Sequence, residues 1–372
     1  MLLEKINTIE QIKINNLQVK CFQMPASSEE SDGTLIWEKT VLVWVEITAG
    51  SETGRGYTFA DISTAKFIHV HLSKLLINEN AFDIEGIWNK LIGETRNLGR
   101  PGVTSMAISA TDAALWDLKA RLLKLPLVKL LGQVYEKIPV YGSGGFTSYD
   151  RKQFENQFTG WLNKGIGMFK MKIGRNKRDD IKRICYARQL IGDEKQLFVD
   201  ANGSYFPREA AGMADEISQF NISWFEEPVT SDNLPGLHFV KEHTPGAMNI
   251  TAGEYGYDLT YFNRMLQAEA VDVLQADATR CTGITGFIKV GILCEAYHIP
   301  LSAHTSPALH LHPCCALKNV VHIEYFHDHE RIENMLFDNP PQPLNGFLVP
   351  DLQKPGTGLE LKEKDIEKYK IN

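Results

Sequence analysis

The sequence of 372 residues predicts a (β/α)8 barrel that follows a smaller α+β domain. From about residue 135, eight short apolar segments follow one another at nearly even spacing, and nearly all leave room for a helix before the next. Before them, segments rich in β-branched residues give way to the three- and four-residue apolar periodicity of helices. Strands followed by helices are typical of an α+β domain.

The first part of the chain predicts strands and then helices. Ile12–Phe22 alternates apolar and polar residues in part, and Thr40–Ile47 is rich in β-branched residues, so both predict strands. The polar stretch Ser27–Gly33 between them predicts a long mobile connection. Residues 63–130 predict helices.

The later part predicts the barrel. Its predicted strands are Ile138–Tyr141, Met168–Ile173, Leu197–Asp200, Ser223–Glu226, Asn249–Ala252, Val271–Gln275, Pro300–Ala303 and Val320–Glu324. A doubly wound sheet is the alternative, but it usually has fewer strands and requires a Gly-rich phosphate-binding turn. Tyr141–Gly145 is rich in glycine without the G-x-G-x-x-G spacing, which argues against a dinucleotide site.

Composition excludes several classes of protein. Hydrophobic residues at 43% and charged residues at 23% argue against a disordered, collagen-like or coiled-coil chain. A net charge of −7 without a Lys/Arg-rich run argues against nucleic acid and anionic membranes as partners. Met1–Lys5 lacks the apolar run of a signal peptide, and no segment approaches the roughly 18 apolar residues of a membrane span. Six cysteines without a C-x-x-C pair indicate a reduced, cytoplasmic protein.

Three acidic residues stand at the ends of consecutive predicted strands: Asp200, Glu226 and Glu254. The carboxyl ends of all barrel strands open on one face, so these side chains are expected to converge there. Close carboxylates repel unless a proton or a hard cation neutralises them, and Mg²⁺ prefers oxygen ligands with positions left for water or substrate. Helix capping or pairing with surface lysines is the alternative. Glu227 is expected to face the other way, because adjacent strand residues alternate.

Two lysines on the second predicted strand form the next pattern. Lys170 and Lys172 share one side of the strand, which in a barrel is the side of the mouth. Mutual repulsion and desolvation favour a neutral amine, so one of them is a candidate base near pH 7. The alternative is a pair of solvated lysines on an exposed edge.

Asp277 and His304 end neighbouring predicted strands. A carboxylate that accepts a hydrogen bond from one imidazole nitrogen fixes the tautomer and leaves the other nitrogen to exchange protons. The pair is therefore a candidate general acid or base, with a structural histidine as the alternative. Four further histidines are interpreted as structural or loop-tip residues rather than a second metal site: His310, His312, His327 and His329.

As a set, these residues resemble the enolase superfamily, and within it the mandelate racemase branch of the mandelate racemase and muconate lactonizing enzyme group. The likeness runs over nearly the whole chain. It rests on Lys170-Met171-Lys172, Val199–Asn202, Trp224–Pro228, Ala252–Glu254, Asp277, Ser302–His304 and Ile323–Glu324. In addition, Ser105–Asp117 is similar to the long helix that precedes the barrel in that family.

The resemblance implies a role for each candidate residue. It implies Mg²⁺ on the three strand-end carboxylates, and Lys172 as one base. It implies the Asp277–His304 pair as base or acid on the opposite face of the substrate. Glu324 is implied as a hydrogen-bond donor to a substrate carboxylate oxygen, and Lys170 as a neighbour of that carboxylate.

The resemblance also implies a division of the chain. A capping domain over residues 1–130 is expected to close loops near 22–33 and 54–60 over a barrel at 131–335, and thereby to select the substrate. A segment at 336–372 is expected to return to the capping domain. Asn202 is implied to lie near a substrate hydroxyl.

The chemistry implied is abstraction of the proton next to a carboxylate through an enediolate, which electrostatic preorganisation stabilises. The product then depends on the second group: protonation of a β-hydroxyl gives dehydration of a sugar acid to a 2-keto-3-deoxy acid. A polar capping region favours this lyase activity: Ser27, Ser28, Glu29, Glu30, Ser31, Asp32, Arg55 and Arg100. The alternatives are a racemase or epimerase of a 2-hydroxy acid, a cycloisomerase, and a non-catalytic sugar-acid-binding barrel. A small hydroxy or sugar acid and a second copy of the chain are the expected partners.

Overall fold

The computed structural model describes residues 11–362 and 364–371, and it begins with a meander of three antiparallel strands. These strands are β1 (Ile14–Ser31), β2 (Ile36–Ala49) and β3 (Glu52–Phe59). The helices that follow are α1 (Ile62–Phe67), a π-helical turn (Ile68–Leu72), α2 (Ser73–Leu76), α3 (Ile84–Glu94), α4 (Val103–Leu122) and α5 (Leu127–Leu131). The buried alanines of α4 allow the helix to lie close to the sheet, so sheet and helix share one core.

The expected loop at Ser27–Gly33 is wrong, because β1 continues to Ser31 and pairs with β2 up to the tip of the hairpin. The polar side chains of this stretch form bonds that composition does not reveal. Trp37 Nε1 donates to the Glu30 carboxyl over 3.0 Å, and the hydroxyl of Ser31 lies 2.6 Å from that of Thr147 in the barrel. The segment is therefore a strand that rests on the barrel.

The barrel contains all eight predicted strands. They are β4 (Ile138–Gly144), β5 (Met168–Lys172), β6 (Gln196–Asp200), β7 (Ile222–Glu226), β8 (Asn249–Ala252), β9 (Val273–Ala276), β10 (Leu301–Ala303) and β11 (Val320–Phe326). Each strand pairs in parallel with the next, and β11 pairs with β4, which closes the sheet. The closed parallel barrel confirms the fold class and excludes the doubly wound sheet.

Helices surround this barrel and alternate with its strands. They are α6 (Arg151–Asn163), α7 (Lys177–Ile191), α8 (Pro207–Ile217), α9 (Leu234–Glu242), α10 (Leu259–Gln267), α11 (Gly283–Ala296), α12 (Pro307–Cys315) and α13 (His327–Leu336). The order of strand and helix is the one that the sequence spacing predicts.

The barrel interior has an apolar layer and a polar layer. Tyr141, Phe198, Trp224 and Val273 form a buried cluster, and the His322 ring lies 4.7 Å from the Tyr141 ring. Residues two positions further along a strand point to the same side. The second layer, nearer the carboxyl ends of the strands, is therefore polar and includes Ser143, Asp200, Glu226, Gln275 and Glu324. We call this end of the barrel the mouth.

The last part of the chain returns to the first domain. Strand β12 (Phe347–Leu348) pairs with β4, and β13 (Lys370–Ile371) pairs with β1. Asp117 of α4 accepts a hydrogen bond from Thr357 N over 2.6 Å. The expected return of the C-terminal segment to the capping domain is confirmed, while the domain boundaries after residues 130 and 335 stay predictions.

Two global features bear on the sequence expectations. Within residues 11–362 and 364–371, no helix is long and apolar enough to cross a membrane. Met1–Lys5, where the sequence argues against a signal peptide, lies outside the described residues. All six cysteines lie within the described part of the chain and carry free thiols, and Cys314 and Cys315 are buried side by side in α12.

Candidate active site

The three strand-end acids converge at the mouth. One oxygen of each of Asp200, Glu226 and Glu254 lies within 4.8 Å of the others, and all three side chains are buried. Among the described residues, no other group of three or more potential metal ligands comes together in this way. The acids stand at or just beyond the ends of β6, β7 and β8, so the closure of the barrel brings them together.

Neighbouring groups hold two of these acids in place. Asp200 Oδ1 accepts a hydrogen bond from Asn202 N over 2.9 Å. Glu226 Oε2 accepts from Trp224 Nε1 over 2.9 Å and from Gln275 Nε2 over 3.0 Å. The remaining oxygens of both acids face lysine ammonium groups. Each carboxylate is therefore oriented through one oxygen, while its other oxygen pairs with a lysine at the mouth.

Glu254 is less satisfied. Its Oε1 lies 3.4 Å from Arg280, and its Oε2 lies 3.2 Å from His304 Nε2 without the alignment of a hydrogen bond. A buried carboxylate oxygen without a hydrogen-bond donor is costly. One oxygen of Glu254 lies within 4.8 Å of oxygens of Asp200 and Glu226, and a cation held among the three acids would stabilise this carboxylate.

The charges around this point would not balance if every acid were ionised. Six carboxylates would then face four cationic groups: Asp200, Glu226, Glu227, Glu254, Asp277 and Glu324 against Lys170, Lys172, Arg280 and His304. Burial, together with the charge of Asp200, raises the pKa of Glu226 to about 8 although Lys170 opposes the shift. A dication relieves this excess, and the all-oxygen donor set suits Mg²⁺. The residues present therefore fit the metal that the sequence predicts.

The expectation that Glu227 faces away from this cluster is wrong. The side chain is buried, it lines the same cavity as Asn202, and burial and the charge of Glu254 hold its pKa well above the usual range. Strand β7 ends at Glu226, and Glu227 has a φ of 37°. Alternation holds only within an extended strand, so the left-handed residue after the strand turns its side chain toward the mouth.

The two lysines occupy one side of the acid cluster. Lys170 Nζ lies 2.5 Å from Glu226 Oε1 and 2.8 Å from Glu324 Oε1, and Lys172 Nζ lies 2.5 Å from Asp200 Oδ2. Both side chains are buried at the mouth, so the alternative of solvated lysines is wrong.

Their charge states differ from the expectation of mutual repulsion. Burial disfavours the ammonium form of Lys170, but Glu226 and Glu324 outweigh it and hold the pKa of Lys170 well above its usual range. Burial likewise disfavours the ammonium form of Lys172, but the charge of Asp200 outweighs burial and raises the pKa of Lys172 as well. In this arrangement both lysines are ammonium groups, because the carboxylates act more strongly than the neighbouring lysine.

The Asp277–His304 pair lies on the other side of the cluster. His304 Nδ1 is 2.8 Å from Asp277 Oδ2, and Nε2 faces Glu254. Burial opposes the imidazolium, but Glu254 and the hydrogen bond to Asp277 raise the pKa of His304 to about 9. Strands β5 and β10, which carry Lys172 and precede His304, are separated by β4 and β11 in the closed sheet. The amine and the imidazole therefore flank the mouth from different sides.

Glu324 lies between these two sides, at the end of β11. Ser143 Oγ donates to its Oε1 over 2.5 Å, and Thr305 N donates to its Oε2 over 3.0 Å. Burial opposes ionisation, yet Lys170 and then His304 lower the pKa of Glu324. The side chain is thus an anion in this arrangement, and the hydrogen-bond donor role implied for it requires a proton that an arriving carboxylate would favour.

Asn202 lines a cavity of about 570 Å³ beside the acid cluster. The residue has a φ of 47°, and its Oδ1 has no hydrogen-bond partner. Glu227 also contributes an unpartnered buried oxygen, and Tyr255, Tyr257 and Tyr261 line the same space. The cavity is therefore lined by polar and phenolic side chains.

The polar capping residues do not form the surface that sequence reasoning expected. Glu30, Ser31 and Asp32 are buried in bonds to their own hairpin and to the barrel, and Arg55 pairs with Glu360 over 2.7 Å. A second cavity of about 300 Å³ lies between cap and barrel instead. The residues that line it include Trp37, Lys39 and Phe59 from the cap and Phe326 and His329 from the barrel.

Sequence reasoning missed these lining residues, although the i, i+2 spacing of Trp37 and Lys39 in β2 places both on one face. The Phe326 ring lies 5.9 Å from Lys172 Nζ, and His329 Nδ1 lies 3.4 Å from Ser306 Oγ. This second cavity therefore adjoins both the lysine side and the imidazole side of the mouth.

The remaining histidines take part in no second metal group among the residues that the structure describes. His312 is buried and accepts a hydrogen bond from Val128 N over 3.1 Å, and the His329 ring stacks on Phe59 at 3.5 Å. Burial lowers the pKa of His312 to about 4 and that of His329 to about 3. Both are neutral packing residues, as the sequence interpretation has them.

Known proteins resemble this chain over most of its length. A family model described as mandelate racemase / muconate lactonizing enzyme, N-terminal domain, matches residues 19–132, and one described as enolase C-terminal domain-like matches residues 153–365. The L-talarate/galactarate dehydratase of Salmonella typhimurium is 32% identical over 280 residues, which cover 73% of this chain and 69% of that enzyme. The 3,6-anhydro-alpha-L-galactonate cycloisomerase of Streptomyces coelicolor is 30% identical, and the match covers 94% of this chain and 97% of that enzyme.

Solved structures give the same result. A mandelate racemase/muconate lactonizing enzyme-like protein from Rubrobacter xylanophilus has a TM-score of 0.94 and 43% identity, and the match covers 96% of this chain and 100% of that one. The L-talarate dehydratase of Polaromonas sp., complexed with Mg and L-glucarate, has a TM-score of 0.87 and 27% identity, with 97% and 98% of the two chains covered. The chain belongs to the enolase superfamily, in the mandelate racemase and muconate lactonizing enzyme group.

Proposed function

We propose that this protein is a Mg²⁺-dependent dehydratase of sugar acids. The observation that carries the proposal is the placement of Lys172 and His304 on different sides of a cluster of three acids, with Glu324 and Lys170 between them. A hydroxy acid whose carboxylate lies beside Lys170 then presents its reacting carbons to an amine and to an imidazole. The dehydratases among its relatives support the same reaction class.

Asp200, Glu226 and Glu254 hold the magnesium ion in this proposal. When bound, the ion supplies positive charge for the anion that forms when the proton next to the carboxylate is removed. Lys170 adds a second fixed positive charge at the same end, and Glu324, once protonated, donates a hydrogen bond there. These groups are in place before reaction, which is what electrostatic preorganisation requires.

Lys172 and His304, which flank the mouth, carry out the proton transfers. Asp200 is the main cause of the raised pKa of Lys172, so neutralisation of Asp200 by a bound cation would make the neutral amine accessible. In that form Lys172 Nζ takes the proton from the carbon next to the carboxylate, and the electron pair of that C–H bond forms the enediolate. The β carbon–oxygen bond then breaks, and His304 Nε2 donates the proton with which the hydroxyl group leaves as water. Asp277 holds the imidazole through Nδ1. The enol product becomes a 2-keto-3-deoxy acid, so the net change is loss of one water.

The test is a panel of mono- and diacid sugars incubated with the protein and Mg²⁺, with 2-keto acid formation measured as the semicarbazone. We expect turnover that EDTA abolishes and Mg²⁺ restores, and that Lys172→Ala and His304→Asn each remove. Exchange of the proton next to the carboxylate in D₂O, with inversion and no keto acid, would instead identify a racemase.

Other outcomes identify the remaining alternatives. Consumption of a lactone or anhydro sugar acid without loss of water would identify a cycloisomerase, the activity named for one relative. Sugar-acid binding without turnover, unaffected by either substitution, would identify a non-catalytic barrel. A homo-oligomer and a cytoplasmic location are further parts of the proposal, which light scattering and cell fractionation test.

A further inference from the structure

His310 is a buried histidine at the start of α12 that the proposed proton transfers do not use. Its Nε2 accepts a hydrogen bond from Ala278 N over 2.8 Å. Its Nδ1 lies 2.9 Å from Thr305 O and 3.1 Å from Ser306 O. The imidazole therefore joins the chain just after Asp277 to the chain just after His304.

These contacts define the tautomer of His310. An Nε2 that accepts from a backbone N–H carries no proton, so the ring proton is on Nδ1, where two carbonyl oxygens accept it. Burial lowers the pKa of His310, which agrees with a neutral ring. The ring thus offers one acceptor to one loop and one donor to the other, without adding a charge beside Asp277.

The loop that receives the donor is strained. Thr305 has a φ of 50° and Ser306 a φ of 43°, two consecutive left-handed residues without glycine. This conformation is unfavourable for residues that carry a Cβ. The turn brings Thr305 N to Glu324 and directs His304 toward Glu254. Bonds to the carbonyl groups of both strained residues help to keep the turn in this conformation.

We propose that His310 is a positioning residue, which keeps the side chains of Asp277 and His304 at hydrogen-bonding distance by joining the loops after β9 and β10. The proposal rests on the proposed function in that His304 is the acid of the dehydration. It makes a selective prediction, because Lys172 lies on β5 and its ammonium group pairs with Asp200 at the end of β6. Loss of His310 slows the step that His304 performs and spares the step that Lys172 performs.

Three substitutions separate the two halves of the bridge. His310→Gln places an amide near the Nε2 position and keeps an acceptor for Ala278 N. His310→Asn places an amide near the Nδ1 position and keeps a donor for the strained turn. His310→Leu removes both. His312→Leu is the matched control, because His312 is also buried on the same helix and accepts from Val128 N, which lies outside the loops after β9 and β10.

The first readout compares dehydration with exchange of the proton next to the carboxylate in D₂O. We expect His310→Leu to lower kcat for dehydration about 10- to 100-fold, the effect of a displacement of about 1 Å, and to change exchange less than about threefold. His310→Asn should recover more of kcat than His310→Gln, because it supports the strained turn. Equal losses in both reactions, the same selective loss in His312→Leu, or no loss at all would overturn the positioning role.

A second readout does not depend on turnover. In ¹⁵N-histidine NMR spectra, His310 should show a protonated Nδ1 and an unprotonated Nε2, and His310→Leu should shift the ring signals of His304 while His312→Leu leaves them in place. If the unsubstituted protein dehydrates no sugar acid, the proposed function fails, and these spectra still decide the role of His310. Unchanged His304 signals in His310→Leu would refute it.

Discussion

Glu30 is a buried carboxyl in the capping hairpin, and its ionisation makes stability depend on pH. The side chain is 0% exposed and accepts hydrogen bonds from Trp37 Nε1 over 3.0 Å and from Ser27 Oγ over 3.4 Å. Burial, and then the charge of Asp328, raise the pKa of Glu30 to about 8, against the opposing charge of Arg331. The substitution Glu30→Gln keeps the shape of the side chain and removes the ionisable proton.

The direction of the effect follows from the difference between the folded and unfolded chains. Below pH 4.5, which is the ordinary pKa of this carboxyl group, Glu30 is protonated in both the folded and the unfolded chain, and its contribution to stability is fully present. As the pH rises toward about 8, the unfolded chain ionises and the folded chain does not, so the free energy of unfolding falls. A tenfold change in proton affinity is worth about 1.4 kcal/mol, which sets an upper limit of about 5 kcal/mol for the whole loss.

Urea unfolding from about pH 5 to about pH 8.5 measures this contribution. We expect the free energy of unfolding of Glu30→Gln to fall less steeply with pH than that of the unsubstituted protein, so that the difference between them grows toward alkaline pH. Glu29→Gln, at the exposed neighbour on the same strand, is the control and should leave the slope unchanged. Parallel curves for Glu30→Gln and the unsubstituted protein would show that Glu30 ionises alike in the folded and unfolded chains.

Three further predictions concern the mouth. Gly33→Ala should raise KM and lower kcat/KM, because a Cβ would lie 2.7 Å from Ile173 O and lift the hairpin from the barrel. An unchanged kcat/KM would contradict this expectation. The control is Gly212→Ala, in open space on α8, which should instead raise Tm slightly. Adding Mg²⁺ to metal-free protein should raise Tm. At a free Mg²⁺ concentration one hundred times Kd, binding adds about 2.7 kcal/mol to the free energy of unfolding. A Tm independent of Mg²⁺ would exclude the metal site. Lys39→Met should raise KM for diacid sugars roughly 2- to 5-fold more than for monoacid sugars, because Lys39 is among the residues that line the cavity between cap and barrel. Equal effects on both would show that Lys39 contacts no second carboxylate.

The barrel and its acids were predictable because strand geometry repeats every two residues. Lys170 and Lys172 face the mouth for this reason, and Asp200 and Glu226 lie there because each ends a strand whose apolar residue two positions earlier fills the barrel. Closure of the sheet then fixes which strand ends are neighbours. Local sequence pattern and overall topology were together sufficient for this layer.

The hairpin of the cap was not predictable from the same signals. Glu30 and Ser31 are polar, and composition assigns such residues to loops, but both are buried: Glu30 bonds to Trp37 on the paired strand, and Ser31 bonds across to the barrel. The partner of Ser31 is Thr147, which lies on the barrel and is brought there only by tertiary structure. Polar side chains that satisfy one another across domains leave no periodic pattern in the sequence.

The left-handed turns at the mouth escaped prediction for a different reason. Asn202, Glu227, Thr305 and Ser306 all have left-handed φ angles, between 37° and 50°, and each lies within three residues of the end of a barrel strand. A glycine at such a position would have marked the turn, whereas these residues carry side chains that the site uses. Asn202 and Glu227 line the cavity, and Thr305 supplies a backbone donor to Glu324. The backbone strain of these left-handed residues is therefore located where a side chain must point in a direction that an extended strand does not allow. It is tolerated because buried groups such as His310 hold the turns in place.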